Sequence, residues 1–252
     1  MLLTAREQFI ATTCADLFWK WMARPVEERI PLTTETANAL AVTTICNRQI
    51  GWIAAQEVVP ELKRRSGYTD TLRMITDLSS DALEHLMFDS GKAVHRYRYF
   101  AQLIHGLGLV IRDQYQGDIR NMWTADDPLK VPTYSQLLTR IKEIKGYGDK
   151  TATLLIRILV LVNNVQLFDG AQGLLPSDDR HLRRVGSRLG LWEEDAKFSE
   201  IVDVSRRLCP TCAAEMDSLF VIGTDWCSAS QPMCERNPDG EVCPLTRVCP
   251  SS

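Results

Sequence analysis

No stretch of the 252-residue sequence approaches the roughly 20 consecutive apolar residues that a membrane-spanning helix needs. The N-terminal run MLLTAREQFIATTCADLFWKW lacks an apolar core followed by a small-residue cleavage site. The expectation is a cytoplasmic protein with no membrane partner, nucleoid-associated if bacterial. A basic excess is missing too: 29 Lys and Arg stand against 32 Asp and Glu, a formal net charge of −3. No global field draws in nucleic acid, so any such contact needs a local basic patch or backbone amides. Alternating apolar and polar runs, the mark of half-buried strands, are scarce. Internal repeats and low-complexity segments are absent. Histidines number four, and His85, His95 and His105 form no ligand pattern.

What the chain has is helical spacing. Segments 5–22, 36–58, 70–87, 92–115, 134–144, 150–164, 179–191 and 197–208 repeat apolar residues every three or four positions. The run LLIRILVLV at 154–162 could be a buried strand, but it continues a helical pattern. The expectation is an all-α protein. The stripe Phe9, Leu17, Phe18, Trp19, Trp21 and Met22 reads as core.

Cysteines are unevenly placed. Cys14 and Cys46 stand apart, and the other six fall between 209 and 249. In a reducing compartment such clustering favours a metal or iron–sulfur site over disulfides. The last 25 residues, rich in Cys and Pro, have little helical period and look unable to hold a shape without a ligand. Cys209 and Cys212, in CPTC, and Cys14 read as packing residues.

Residues 144–152, IKGYGDKTA, form a short glycine turn between two helical patterns. Gly146 and Gly148 permit positive φ and close approach of another backbone. The first amides of the second helix, beside its positive end, make an anion site suited to a phosphate. Lys150 then falls in the first helical turn. The dipole opposes an ammonium there and favours the neutral amine that a Schiff-base nucleophile needs. Further on, PSDDRHLRRV places Asp179 at or near a helix N-cap.

Taken in order, these features resemble the helix-hairpin-helix (HhH-GPD) DNA glycosylase superfamily, in its endonuclease III-like branch. Gly146, Gly148, Lys150, Thr151 and Ala152 match the family's hairpin. Asp179, His181, Leu182, Arg184 and Val185 match its catalytic stretch, with Asp179 rather than Asp178 in register. The spacing Cys227-x6-Cys234-x8-Cys243-x5-Cys249 resembles the family's cluster motif C-x6-C-x2-C-x5-C. The wider middle gap reads as a loop inserted within ERNPDGEV. SGKAVHRYRYF at 90–100 resembles the helix after the family's wedge loop, with Phe88 in the wedge position. Where the family places a Gln that enters the DNA stack, this chain has Cys46, followed by Asn47, Arg48 and Gln49. The resemblance covers roughly residues 36–250.

The resemblance implies two helical domains with a DNA cleft between them. Residues 36–164 would form one; 1–35 and 165–252 would form the other, with the cluster loop at 227–249. It implies a monomer on double-stranded DNA, and a [4Fe–4S] cluster on Cys227, Cys234, Cys243 and Cys249, with zinc the second choice. Lys150 would be the nucleophile and Asp179 its electrostatic partner, removing a damaged or modified base, expected to be a pyrimidine, and then cutting the strand. Gly146, Tyr147, Gly148, Thr151, Phe88, Asn47, Arg48, Gln49, His181 and Arg184 would touch DNA. The run Arg180, Arg183, Arg184 and Arg188, with Arg247, could meet phosphates. Two alternatives stand beside this: a repurposed member acting on modified thymine, as in phage DNA hypermodification, and a non-catalytic iron–sulfur DNA-binding module.

Overall fold

The computed structural model describes residues 2–21, 28–88, 97–125, 130–230 and 232–250, apart from the side chains of residues 21 and 48–51. Among these residues there are eleven α-helices and no strand; the β-type pairing is a single bridge between Cys227 and Pro232. No described helix is long and apolar enough to cross a membrane. The chain divides into two compact units, Met1–Arg29 with Asp169–Ser252, and Ile30–Phe168.

The second unit holds α2 (Thr34–Gln56), α3 (Val58–Ser66), α4 (Thr71–Asp77), α5 (Ser80–Phe88), α6 (Tyr97–Gln114), α7 (Tyr134–Glu143) and α8 (Asp149–Leu161). Short polar side chains start many of these helices. Thr33 and Thr36 form a reciprocal capping box at α2, Thr133 and Gln136 do so at α7, and Asp70 caps α4. Helix α6 buries Phe100, Leu103, Ile104, Leu107 and Ile111, one face at three- and four-residue spacing. That face packs on α5, α4 and α2, and α2 also meets α8. The run at 154–162 is helical: Leu155, Ile156, Leu159, Val160 and Leu161 are all buried in α8. A helix this apolar reads ambiguously because it is covered on most sides.

The first unit holds α1 (Ala5–Trp21), α9 (Arg180–Arg188), α10 (Phe198–Leu208) and α11 (Ser218–Asp225). Its core gathers Ile10, Cys14, Leu182, Val185, Leu189, Ile201, Leu219 and Ile222 with Cys227, Cys243 and Leu245. The inward stripe of α1 is Ile10, Cys14 and Phe18, four residues apart. This corrects the aromatic stripe read from sequence. Phe18 is buried, but Phe9 and Trp19 are exposed, and Trp19 Nε1 donates to Glu215 Oε1 at 2.8 Å.

Candidate functional site

Helix α7 ends at Glu143, and the Tyr147 N–H donates to the Ile144 carbonyl at 3.1 Å to close the turn. Gly146 adopts φ +109, where a Cβ would also stand 3.2 Å from Leu103 Cδ1. Gly148, expected to share that freedom, has φ −94 and serves α8 as its N-cap. Nothing lies within 4 Å of where its Cβ would be. The role of Gly148 is thus not a left-handed turn but the absence of a side chain. Thr33, Asp70 and Thr133 each put an oxygen on a first-turn amide; Gly148 has none to offer. The amides opening α8 sit at its positive end beside open space, the arrangement that takes an anion. Lys150 is exposed in that same turn. Asp149 pairs with Lys142 Nζ.

Two residues expected to touch DNA face inward instead. Tyr147 is buried, and its hydroxyl donates to the Ala41 carbonyl at 2.7 Å. Burial pushes its phenol well above the usual range, so the ring is a core anchor for the hairpin. The Thr151 side chain is buried as well. Gly146→Ala is expected to cost about 1–3 kcal/mol of stability through strain at positive φ, read as a lower melting temperature. Gly148→Ala, in ordinary backbone with open space, should melt close to the parent protein.

The stretch that the resemblance marks as catalytic opens α9. Asp179 is its N-cap: Oδ1 accepts from the His181 N–H at 2.7 Å, and the residue is 5% exposed. Asp178 is exposed and forms a two-pronged pair with Arg183, at 2.6 Å and 3.0 Å. The two neighbouring carboxylates therefore differ in kind. One is a salt-bridged surface group; the other is buried at a helix start with its charge favoured by the dipole.

The basic face of α9 is mostly turned to the protein's own backbone. Arg183 also donates to the Ala196 carbonyl at 2.7 Å. Arg184 donates to the carbonyls of Cys227 at 2.9 Å and Gly223 at 2.8 Å, and meets His181 Nδ1 at 3.0 Å. His181 stacks edge-on against Phe220, with ring centroids 5.2 Å apart. Arg188 Nη1 reaches the Cys227 sulfur at 2.9 Å and the Ser228 carbonyl at 2.8 Å. The donors of Arg184 and Arg188 hold the segment around Cys227, and Arg180 and Arg247 remain exposed.

Cys227, Cys234, Cys243 and Cys249 all carry free thiols and line one cavity, with Val185, Leu189, Ile222, Trp226 and Leu245 as apolar walls and Arg188 at its edge. The long middle gap closes on itself. The Cys243 N–H donates to the Cys234 carbonyl at 3.1 Å, and Asn237 gathers the Asp239 and Glu241 amides at 3.1 Å and 2.8 Å. The extra residues thus form a side loop, and the two cysteines stay neighbours. Thr246 Oγ1 bridges the Cys234 and Cys243 carbonyls, at 2.9 Å each. Burial, then Cys249 and Cys227 nearby, push the Cys234 thiol up, and burial pushes up Cys243. Packed this way, those two thiols disfavour their anions until a cation offsets the charge. Among the described residues no three His, Cys, Asp or Glu side chains converge closely enough for one metal ion. All four cysteines border the same cavity.

Of the remaining expectations, Phe88 ends α5 at 64% exposure, in edge-to-face contact with Tyr97 at 5.5 Å. Asn47 is half-buried in α2; the side chains of Arg48 and Gln49 lie outside the described residues. Cys46 is core, its thiol pushed up to about 12 by burial, and it cannot stand in for a residue that enters DNA. Arg6 had no sequence signal. It donates Nε to the Val248 carbonyl at 2.9 Å and Nη2 to the Leu189 carbonyl, partners far along the chain.

No protein-family model and no curated protein matches this sequence. Solved structures do match in fold. A trapped endonuclease III–DNA covalent intermediate, an estranged-adenine complex, aligns at TM-score 0.62 and 19% identity, over 99% of this chain and 97% of its own. A non-covalent endonuclease III–DNA complex gives the same score and identity, over 99% and 96%. A thermostable thymine-DNA glycosylase aligns at TM-score 0.62 and 14% identity, over 97% and 95%. The chain shares the fold of these endonuclease III and thymine-DNA glycosylase structures along nearly its whole length.

Proposed function

We propose that the chain is a DNA glycosylase that also cuts at the site it empties. The observation that carries this reading is the start of α8, where an exposed Lys150 stands in a first turn capped by bare Gly148. A phosphate seated on those amides would bring a sugar beside the amine. The target nucleotide is flipped out of the stack, at a cost of a few kcal/mol. The Lys150 amine attacks C1′, and the base leaves with the electrons of the glycosidic bond. Asp179, buried at the start of α9, would stabilise the positive charge that develops on the sugar, or take the proton from the amine. The C1′–O4′ bond then breaks, O4′ taking a proton, and the resulting imine acidifies C2′; loss of that proton expels the 3′ phosphate by β-elimination. Phe88, exposed at the end of α5, fits a wedge that fills the vacated stack.

The four cysteines fit a [4Fe–4S] cluster better than zinc. A single tetrahedral ion needs every sulfur about 2.3 Å from one point, whereas these thiols border a cavity between apolar walls. Such a cluster would cross-link Cys227, Cys234, Cys243 and Cys249 and hold the loop against α9.

The test is a duplex carrying one modified pyrimidine, assayed for released base and for strand scission. Release together with a β-elimination product supports the reading; release alone leaves a glycosylase without lyase activity. Tight binding with neither product would leave a DNA-binding module. Gly148→Val, which fills the open space, should weaken duplex affinity about tenfold while the melting temperature holds, since one phosphate contact of this kind is worth about 1–2 kcal/mol.

A further inference from the structure

Arg188 makes three bonds where two would hold a loop. Its Nη1 meets the Ser228 carbonyl at 2.8 Å and its Nη2 the Ala229 carbonyl at 3.3 Å. Those bonds pin the chain just after Cys227. The third, from Nη1 to the Cys227 sulfur at 2.9 Å, adds nothing to that task. Sulfur accepts weakly from neutral donors, and a guanidinium is always charged. Among the residues lining the cysteine cavity Arg188 is the one charged side chain; the rest are Val, Leu, Ile, Trp and the cysteines. In such apolar surroundings a fixed cation acts more strongly than it would in water.

We propose that Arg188 sets the reduction potential of the cluster through this charged hydrogen bond to Cys227, and so acts as a tuning residue rather than a DNA contact. The inference rests on the cluster reading above. Added electron density on a reduced cluster spreads onto its ligand sulfurs, and N–H donors there stabilise it. Removing the cation should therefore make reduction harder.

The test compares full-length wild type with Arg188→Met, Arg188→Gln, Arg188→Lys and Arg6→Met. Iron, zinc and acid-labile sulfide are counted, and the midpoint potential is measured by spectroelectrochemistry. Arg188→Met and Arg188→Gln are expected to shift the potential to more negative values at unchanged iron and sulfide, with Arg188→Lys between them and wild type. Arg6 anchors the same loop through the Val248 carbonyl but has no bond to sulfur. Arg6→Met should leave the potential where it was, even if the cluster is lost faster on warming. An unchanged potential in iron-replete Arg188→Gln overturns the assignment, as does an equal shift in Arg6→Met. If the methionine variant cannot hold iron, the glutamine and lysine variants decide, and equal potentials in those two count against it. Zinc without sulfide in the wild type rejects the cluster itself, a result distinct from a cluster whose potential ignores Arg188.

Discussion

Asp179→Asn is expected to lower base excision by about 10²–10³-fold, the size of effect seen when one preorganised electrostatic group is removed, with no loss of fold. The substitution is informative because Asp179 has two candidate jobs. As an N-cap it accepts from the His181 N–H at 2.7 Å, and asparagine caps helices as well as aspartate does. Size and acceptor oxygen are kept, and the charge alone is removed. A residue that only caps would show no change in excision. Asp179→Ala, by contrast, should lose activity and also about 1 kcal/mol of stability with the cap. Asp178→Asn is the control. Its exposed pair with Arg183 is worth about 0–1 kcal/mol, and excision should not change. Single-turnover excision rates and thermal melts on the same preparations separate the three cases.

Cys227→Ser is expected to have the largest effect on stability. Structural metal centres contribute on the order of 10 kcal/mol to the domains built around them, comparable with the whole stability of a typical domain. Cys227 also sits at the junction of the loop with α9, because Arg184 and Arg188 both bond to it. The variant should lose iron and sulfide, drop sharply in melting temperature and bind duplex DNA poorly. Cys209→Ser is the contrast. Cys209 is equally buried, beside Cys14 and Glu215, and lies outside the cavity. A buried hydroxyl in its place should cost about 1–3 kcal/mol and leave the iron count alone. Iron loss of the same size in both variants would mean that the ligand set is wrong.

The helices with a polar cap and one apolar face were legible in the sequence. Helix α7 announces itself through Thr133 and Gln136, and α6 through its buried stripe. Boundaries inside continuous periodicity were not. Residues 70–87 read as one helix, but Leu78 is extended and Ser79 caps a new one, its Oγ accepting from the Ala82 N–H at 3.2 Å. Helix α3, with Pro60 in its first turn where proline is tolerated, falls almost wholly outside the segments read as periodic. Helix α11, SLFVIGTD, has too few polar residues to show a period.

At the candidate site, the glycine turn with Lys150, an Asp at the start of α9 and the clustered cysteines could be read from local spacing, while the resemblance chose Asp179 over Asp178 and four of the six clustered cysteines. Direction was not legible. Tyr147 and Thr151 lie in the same motif as Gly148 and Lys150, yet their side chains turn into the core. The arginines of α9 look alike in sequence. Arg188 reaches a sulfur 39 positions away, and Arg6 reaches a carbonyl 242 positions away. Only the folded chain chooses such partners, so no local pattern could have named them.

A Lys150 nucleophile becomes covalently joined to DNA during the reaction, and borohydride trapping on a duplex with one abasic site, comparing wild type with Lys150→Ala, captures that bond. A protein–DNA adduct with the wild type, absent with Lys150→Ala at equal iron content, is the predicted result. No adduct from cluster-replete wild type, or an adduct that survives in Lys150→Ala, would contradict the assignment of Lys150 as nucleophile.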